Sequence, residues 1–245
     1  MGDLVAAEWL KLRTTRLLHG TAPAALLISL AAVIGSTLAA DRAGIALEST
    51  RGLRRILPTT GTGALVVLIV GILVSAGEYR HGTAADTFLT TPRRHRVVLA
   101  KVAVGAAVGL AVGAITSAAC ITGAAALFRL RGVTFPFDDA EVWQSVAGTL
   151  AYTTLFAVLG VAIGTMVRNQ VFAVAAALAW VGIVEHLLVN LAPGIGRWLP
   201  AAAGQAILRT PLDRLLGPAA GAAVLAAFAL VITAAGLRFT VTRDA

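Results

Sequence analysis

Hydrophobic and polar residues are arranged along this chain in long blocks. Six apolar runs each approach or exceed the length of about 20 residues that a membrane-spanning helix requires. They cover residues 17–40, 59–76, 102–127, 146–167, 172–191 and 218–237. Gly and Ala are frequent in all six runs, and such small residues let membrane helices approach one another closely. The pattern predicts an all-α integral membrane protein in which residues 1–245 form a single domain with six transmembrane helices.

The composition agrees with this prediction. Of the 245 residues, 58% are hydrophobic and 13% are charged, whereas about 25% of the residues of a soluble domain are charged. The net charge of +8 is not organised as a basic stripe with interleaved aromatic residues, so we exclude nucleic acid as a partner. Basic loops that face anionic lipid headgroups account for it better. The single cysteine, Cys120, lies in an apolar run and cannot form an internal disulfide.

The distribution of Lys and Arg predicts the orientation. With the N-terminus inside, the inner segments carry eleven Lys or Arg residues and the outer loops carry nine. Positive charge is enriched in cytoplasmic loops, and an even number of spans places both termini on one side. We therefore expect a multi-pass protein of the bacterial cytoplasmic membrane with cytoplasmic N- and C-termini. The richness in Ala, Gly and Arg is typical of a GC-rich bacterial genome.

Two further segments carry apolar residues without being long enough to span. In residues 1–16, Val5, Trp9 and Leu12 share one helical face, with Glu8 and Lys11 beside it. This spacing predicts an amphipathic helix in the membrane interface, with Trp9 at headgroup level. Residues 192–217 contain three prolines and a short apolar patch. That composition predicts a re-entrant or interfacial helical hairpin on the outer side, before the sixth helix, rather than a plain loop.

A compact polar segment, "GEYRHGTAADTFLTTPRRHRVVLAK", separates the second and third runs at residues 77–101. Thr83 and Asp86 have the spacing of a helix N-terminus, and Pro92 would end the helix within three turns. Phe88 and Leu89 would form an apolar face on this helix. Such a face either lies on lipid or docks into a partner's groove, and the residues alone favour neither.

These residues resemble the cytoplasmic loop of permease subunits of ABC-2 type ABC transporters. The shared order is Glu-aromatic-Arg, Gly-Thr, a short helix, Thr-Pro, a basic cluster and a Lys that opens the next span. The likeness extends along the chain. "AEWLKLRTTR" is similar to the family's amphipathic first helix, "LGVAIGTMVRNQVFAVAAALAW" to its tight turn between the fourth and fifth spans, and "GRWLP" to its outer re-entrant segment.

The resemblance implies the six-helix ABC-2 exporter fold and a permease subunit of an ATP-driven transporter. In that family the subunit pairs with a second permease copy or a paralogue, and the loop is a coupling helix that fits a groove on a cytoplasmic ABC ATP-binding subunit. We therefore expect contacts with that ATPase at Glu78, Tyr79, Arg80, His81, Gly82, Thr83, Phe88 and Leu89. The family is mostly made of exporters, so export is the expected direction; the cargo is not indicated.

ATP hydrolysis is expected in the partner rather than in this chain. No G-x-x-x-x-G-K-[ST] motif is present, and neither of the two lysines, Lys11 and Lys101, follows a Gly-rich loop. The chain therefore has no phosphate cradle of this kind. No H-E-x-x-H motif or paired metal-ligand spacing occurs either. We expect no catalytic residue, cofactor or metal here, with ATP and Mg²⁺ bound by the ATPase.

Glu185 and His186 lie inside the fifth apolar run. Ionisable residues at membrane depth often mark functional sites, so both are candidates for a translocation pathway. Glu185 could pair with an arginine, line a cavity or meet a cationic substrate. Both residues also lie about six positions from the outer end of the run, near enough to reach the interface.

Two other classes of function stay open. An intramembrane hydrolase that uses Glu185 and His186 would be active as the purified chain alone. A membrane scaffold or immunity protein without transport would bind a partner, and the ATPase activity of any partner would not respond to it.

Overall fold

The computed structural model describes residues 1–15, 17–80, 94–167 and 169–242, and all regular structure among them is helical. The helices are α1 (Gly2–Thr14), α2 (Leu17–Arg42), α3 (Thr50–Ile56), α4 (Ala64–Arg80), α5 (Arg94–Leu130), α6 (Ala140–Met166), α7 (Gln170–Ala179), α8 (Glu185–Leu191), α9 (Pro193–Gly196), α10 (Pro200–Ile207) and α11 (Pro218–Thr242). A 3₁₀ helix, Leu57–Gly63, joins α3 to α4, and a π-helical turn, Trp180–Val184, joins α7 to α8.

The prediction of an all-α chain with six potential spans is confirmed. Six helical stretches of the described residues are long and apolar enough to cross a membrane. They are Leu17–Arg42, Thr50–Glu78, Arg94–Leu130, Ala140–Met166, Gln170–Leu191 and Pro218–Phe239. The third is longer than predicted, because α5 begins at Arg94 and has 37 residues. At 1.5 Å per residue it extends over about 55 Å, well beyond a hydrocarbon core of about 30 Å.

The second span is irregular because of its sequence. Pro58 is followed by "TTGTG", in which β-branched and glycine residues disfavour an α-helix. The hydroxyl of Thr60 donates to the carbonyl of Leu57 at 2.8 Å, and Thr59 and Thr62 make the same bond three residues back. These bonds hold the 3₁₀ helix at the start of α4.

Helix α6 lies at the centre of the bundle and packs against α4, α5 and α11. Gly71 of α4 and Gly160 of α6 lie where the two backbones meet, and a Cβ atom at Gly160 would overlap the carbonyl of Leu68. On α5, glycines 105, 109 and 113 face α6 in the same way. The small-residue spacing of these runs therefore lies at helix–helix contacts, which is the role that small residues have in membrane bundles.

Helix α1 packs against the first turns of α5. Leu12 is buried there with Val104 and Val108, whereas Trp9 is 39% exposed. The predicted helix is present, but its buried face is rotated from the predicted one. Glu8, which we expected beside the apolar face, is buried within the fold.

Within the segment 192–217, Pro193–Gly196 forms α9 and Pro200–Ile207 forms α10, and residues 208–217 are turns and irregular structure. Almost all of α10 is buried, and it packs against α6 and α11. Arg209 ends this helix with a φ of 58°, and the amide of Thr210 donates to the carbonyl of Gln205. This is a Schellman ending in which Arg takes the position usually held by Gly. The depth of the segment in a membrane stays a prediction.

Candidate functional site

The first candidate site is a set of four charged side chains where α1, α4 and α5 meet. Lys11 Nζ lies 2.8 Å from Glu8 Oε1 and 2.8 Å from Glu78 Oε1. Lys101 Nζ lies 2.7 Å from Glu8 Oε2 and 2.7 Å from Glu78 Oε1. Each lysine thus contacts both glutamates, and the four charges cancel. We call Glu8, Lys11, Glu78 and Lys101 the ionic quartet.

The quartet is anchored by buried groups. The side chains of Glu8 and Lys101 are both 5% exposed and that of Glu78 is 12% exposed, whereas Lys11 is 44% exposed and lies at the rim. Removing charges from water costs several kcal/mol per ion unless counter-charges and hydrogen bonds compensate. The alternation of lysines and glutamates supplies counter-charges and hydrogen bonds to Lys101 and Glu8.

Lys11 illustrates the balance of these effects. Partial burial lowers the pKa of its ammonium group, but the hydrogen bonds from Lys11 to Glu78 and Glu8 and their negative charges act in the opposite direction. The carboxylates dominate, and the pKa of Lys11 lies above its ordinary value of 10.5. Lys11 therefore stays charged at neutral pH.

The quartet joins three elements that are distant in sequence. Glu8 and Lys11 are three residues apart and so lie on one face of α1. Glu78 is in the last turn of α4, and Lys101 is in the second turn of α5. The Glu78–Lys101 pair therefore connects the two helices that flank the predicted coupling loop, and α1 covers this pair. Sequence reasoning missed the quartet, although its signal was present, since the only two lysines of an arginine-rich chain both belong to it.

Of the eight residues predicted to contact an ATPase, Glu78 is the one whose side chain is described. Tyr79 and Arg80 continue the backbone of α4, and their side chains lie outside the description. His81, Gly82, Thr83, Phe88 and Leu89 lie outside the described residues, so their role stays a prediction.

The second candidate site surrounds Glu185, the first residue of α8. This side chain is 1% exposed. Its Oε2 atom accepts a hydrogen bond from the amide of Ala201 at 2.7 Å, in the first turn of α10. The residue before that helix, Leu199, provides no side-chain cap. Glu185 therefore serves as the missing cap, bonding a free amide at the positive end of the helix.

The other oxygen of Glu185 is less well satisfied. Oε1 is buried and has no hydrogen-bond partner within the described residues. The amide of Ala202 and the indole of Trp180 make weaker polar interactions with the carboxylate. A buried carboxylate with one uncompensated oxygen is costly, and a function that uses this atom would account for it.

Glu185 lines a cavity of about 370 Å³ between α4, α6, α7 and α11. The wall is otherwise apolar and includes Leu68, Ile163, Ala176, Ala177, Phe228 and Ile232. Among the described residues that line it, Glu185 is the one ionisable group. We call this cavity the Glu185 groove. Ligand pockets in proteins commonly have volumes of about 300–1,000 Å³ and few polar groups.

His186 does not share this site. It follows Glu185 on the same helix, which turns it about 100° away, and its side chain is exposed. Its carbonyl accepts a hydrogen bond from the Asn190 side chain at 2.7 Å. The structure thus separates the two residues that the sequence placed together.

Asp139, Glu141 and Cys120 are accounted for by structural contacts or burial. Asp139 caps α6 through the amide of Glu141 at 2.8 Å, and Glu141 pairs with Arg54 at 2.6 Å. Cys120 is buried and free. Across the described ranges, no group of three or more His, Cys, Asp or Glu side chains could hold a metal ion.

Fold and sites together define a helical chain with the make-up of a multi-pass membrane protein. It has a neutralised charge cluster at one end and an apolar cavity with a buried carboxylate. No protein-family model matches the chain, and no curated protein is significantly similar to it.

Proposed function

We propose that this chain is the transmembrane permease subunit of an ATP-driven ABC transporter of the ABC-2 type, and that it works as an exporter. The loop that follows Glu78 would be the coupling helix, and an ABC ATP-binding subunit would carry ATP and Mg²⁺. The functional unit would contain two permease chains, either two copies or this chain and a paralogue. Its place would be the bacterial cytoplasmic membrane, with both termini and the quartet on the cytoplasmic side.

The observation that supports this proposal best is the ionic quartet. A coupling segment transmits force only if its ends are fixed to the helices that must move. The Glu78–Lys101 pair connects the two ends of the loop at 2.7 Å, and Glu8 adds the N-terminal helix to the same cluster. A push on the loop would therefore reach α1, α4 and α5 together.

The direct test is co-purification with an ABC ATP-binding subunit encoded beside this chain. Replacing Phe88 and Leu89 by Asp should abolish the complex, or the stimulation of its ATPase by the permease, because an apolar groove cannot accept two carboxylates. The matched control replaces Phe137 and Leu130 by Asp. These residues are 52% and 81% exposed and lie near the other end of α5.

The control should leave the complex intact. A fully coupled complex in the Phe88/Leu89 variant would refute the coupling-helix assignment. Absence of any complex in the wild type, with an ATPase indifferent to this chain, would favour the scaffold or immunity protein instead. Hydrolysis by the purified chain alone would favour the membrane enzyme.

A further inference from the structure

The Glu185 groove has the form of a binding site for an elongated molecule. Along α7 and the π-helical turn, its lining residues recur on one face from Ala173 through Ala177 and Trp180 to Glu185. The two ends of this row lie about 18 Å apart along the helix axis, at 1.5 Å per residue. The carboxylate therefore lies at one end of a long apolar cavity.

The groove contains no counter-charge for this carboxylate. Among the described residues that line it, none is Lys, Arg or His. The cap on Ala201 satisfies Oε2, and Oε1 stays without a hydrogen-bond partner. A cap does not require a full negative charge, since a neutral side-chain oxygen accepts the same bond. Oε1 is thus a polar atom at the groove whose hydrogen-bonding capacity is unused among the described residues, and no basic side chain of the lining balances the carboxylate.

Two aromatic side chains of the groove also favour a cationic ligand. Trp180 and Phe228 line the same groove, and the faces of aromatic rings attract cations. The rest of the wall is aliphatic and would accept a hydrocarbon tail with little loss. The chemistry therefore favours a molecule with one cationic head and an apolar tail.

We propose that the groove binds a lipophilic amine or ammonium compound, with its cationic head at Glu185 and its tail along α7 toward Ala173. The binding itself is a property of this chain alone. That such a compound is the exported cargo rests on the proposed function.

The test uses the purified chain in phosphatidylcholine nanodiscs, in a variant that keeps Trp180 as its sole tryptophan. Quenching of Trp180 by brominated dodecylamine is compared with quenching by brominated dodecanol, which has the same tail and a neutral head. The amine should quench saturably at a concentration at least about tenfold lower than the alcohol, because a hydrogen bond to a charged group contributes about 1.5–3 kcal/mol.

Glu185→Gln should bring the amine within about twofold of the alcohol, because Gln keeps the oxygen that caps Ala201 and removes the charge. Ala176→Phe, on the groove wall, should weaken both ligands at least about tenfold by filling the tail site. Ala175→Phe is the matched control, since Ala175 is exposed on the same helix and does not line the groove. It should leave both ligands unchanged.

Equal quenching by amine and alcohol in the wild type would overturn the proposal, as would an amine preference that survives Glu185→Gln. If Glu185→Gln does not fold, the proposal is tested by comparing the two ligands in the wild type, in Ala176→Phe and in Ala175→Phe. Binding without transport would count against the proposed function alone. An intact, coupled transporter whose groove shows no amine preference would count against this inference alone.

Discussion

Two buried charge sites lie near opposite ends of this bundle and are built differently. In the ionic quartet, each lysine contacts two carboxylates, and the charges sum to zero within a few ångströms. In the groove, Glu185 has one hydrogen bond to Ala201 and no basic neighbour among the described lining residues. Both sites bear the cost of removing charge from water, and only the quartet compensates it internally.

This difference indicates that the quartet has a structural role and that the groove has a binding role. A closed set of ion pairs balances its charges internally and joins α1, α4 and α5 in one arrangement. An incomplete site retains an atom that another molecule can use. The comparison predicts that neutralising Lys101, a buried member of the quartet, destabilises the fold. Neutralising Glu185 should have little effect on the fold and should change what the chain binds.

The largest expected effect is at Lys101. Lys101→Met should destabilise the fold by about 3–5 kcal/mol, because it leaves two carboxylates with one partly exposed lysine between them. Lys11→Met should cost only about 1 kcal/mol or less, since Lys11 is 44% exposed. Thermal unfolding in detergent compares the two variants, and Glu8→Gln combined with Lys101→Met should recover part of the loss. Equal losses of stability in the two variants would contradict the distinction between the buried Lys101 and the partly exposed Lys11.

The next largest effect on stability is expected at Gly160, where the backbones of α4 and α6 meet. Gly160→Ala should cost about 1–3 kcal/mol, because its Cβ would overlap the carbonyl of Leu68, itself a wall of the groove. Gly35→Ala is the control, since nothing lies within 4 Å of a Cβ there and Ala is the better helix former. Unfolding midpoints should therefore move in opposite directions. A stabilised Gly160→Ala variant would show that the α4–α6 contact is looser than described.

The parts of this structure that sequence could predict are the local ones. The length of an apolar block is a property of consecutive residues, so the sequence predicts all six potential spans. Glu185 is a candidate because it interrupts such a block. The pairing of Glu8 with Lys101 crosses 93 positions and depends on how α1 docks. Helical spacing alone placed Glu8 at the edge of the apolar face, and only tertiary packing buries it.

The same limit applies at Glu185. Sequence adjacency grouped it with His186, but a helix turns neighbouring side chains apart, and His186 is exposed. The partner that does matter, the amide of Ala201, comes from α10. The sequence predicts a helical hairpin in this segment but not its contact with Glu185. Backbone donors carry no sequence signal, so this contact could not be read from side-chain chemistry.

A smaller effect is expected at Glu185 itself. Glu185→Gln should change the unfolding free energy by less than about 1 kcal/mol, because Gln retains an oxygen for the Ala201 amide. Glu185→Leu should cost about 0.5–2 kcal/mol through loss of the cap. Thermal unfolding without added ligand measures both. If the Gln variant were as unstable as the Leu variant, the charge of Glu185 and not its oxygen would stabilise α10. Glu185 would then have a structural role like that of the quartet.

The smallest effect is expected from titrating the rim of the quartet. The pKa of Lys11 is raised above 10.5 by Glu78 and Glu8 despite partial burial. A raised pKa in the folded state means that the stabilisation is fully present below pH 10.5 and is lost as the pH rises through the folded value. Lys11→Arg keeps its charge throughout this range, and Lys101 is common to both chains, so the difference between them isolates Lys11.

Trp9 lies on α1 beside this cluster and is 39% exposed, which makes its fluorescence a reporter of α1 docking. In a chain whose other tryptophans (Trp143, Trp180 and Trp198) are replaced by Phe, the Trp9 signal should begin to change above pH 10.5. With Lys11→Arg added to that chain, it should do so at a higher pH or not at all. The shift should be small, because a half-exposed ammonium group is screened by water. Identical profiles would mean that Lys11 does not contribute to the docking of α1. Leu12 and the buried Glu8–Lys101 pair would then hold this helix without it.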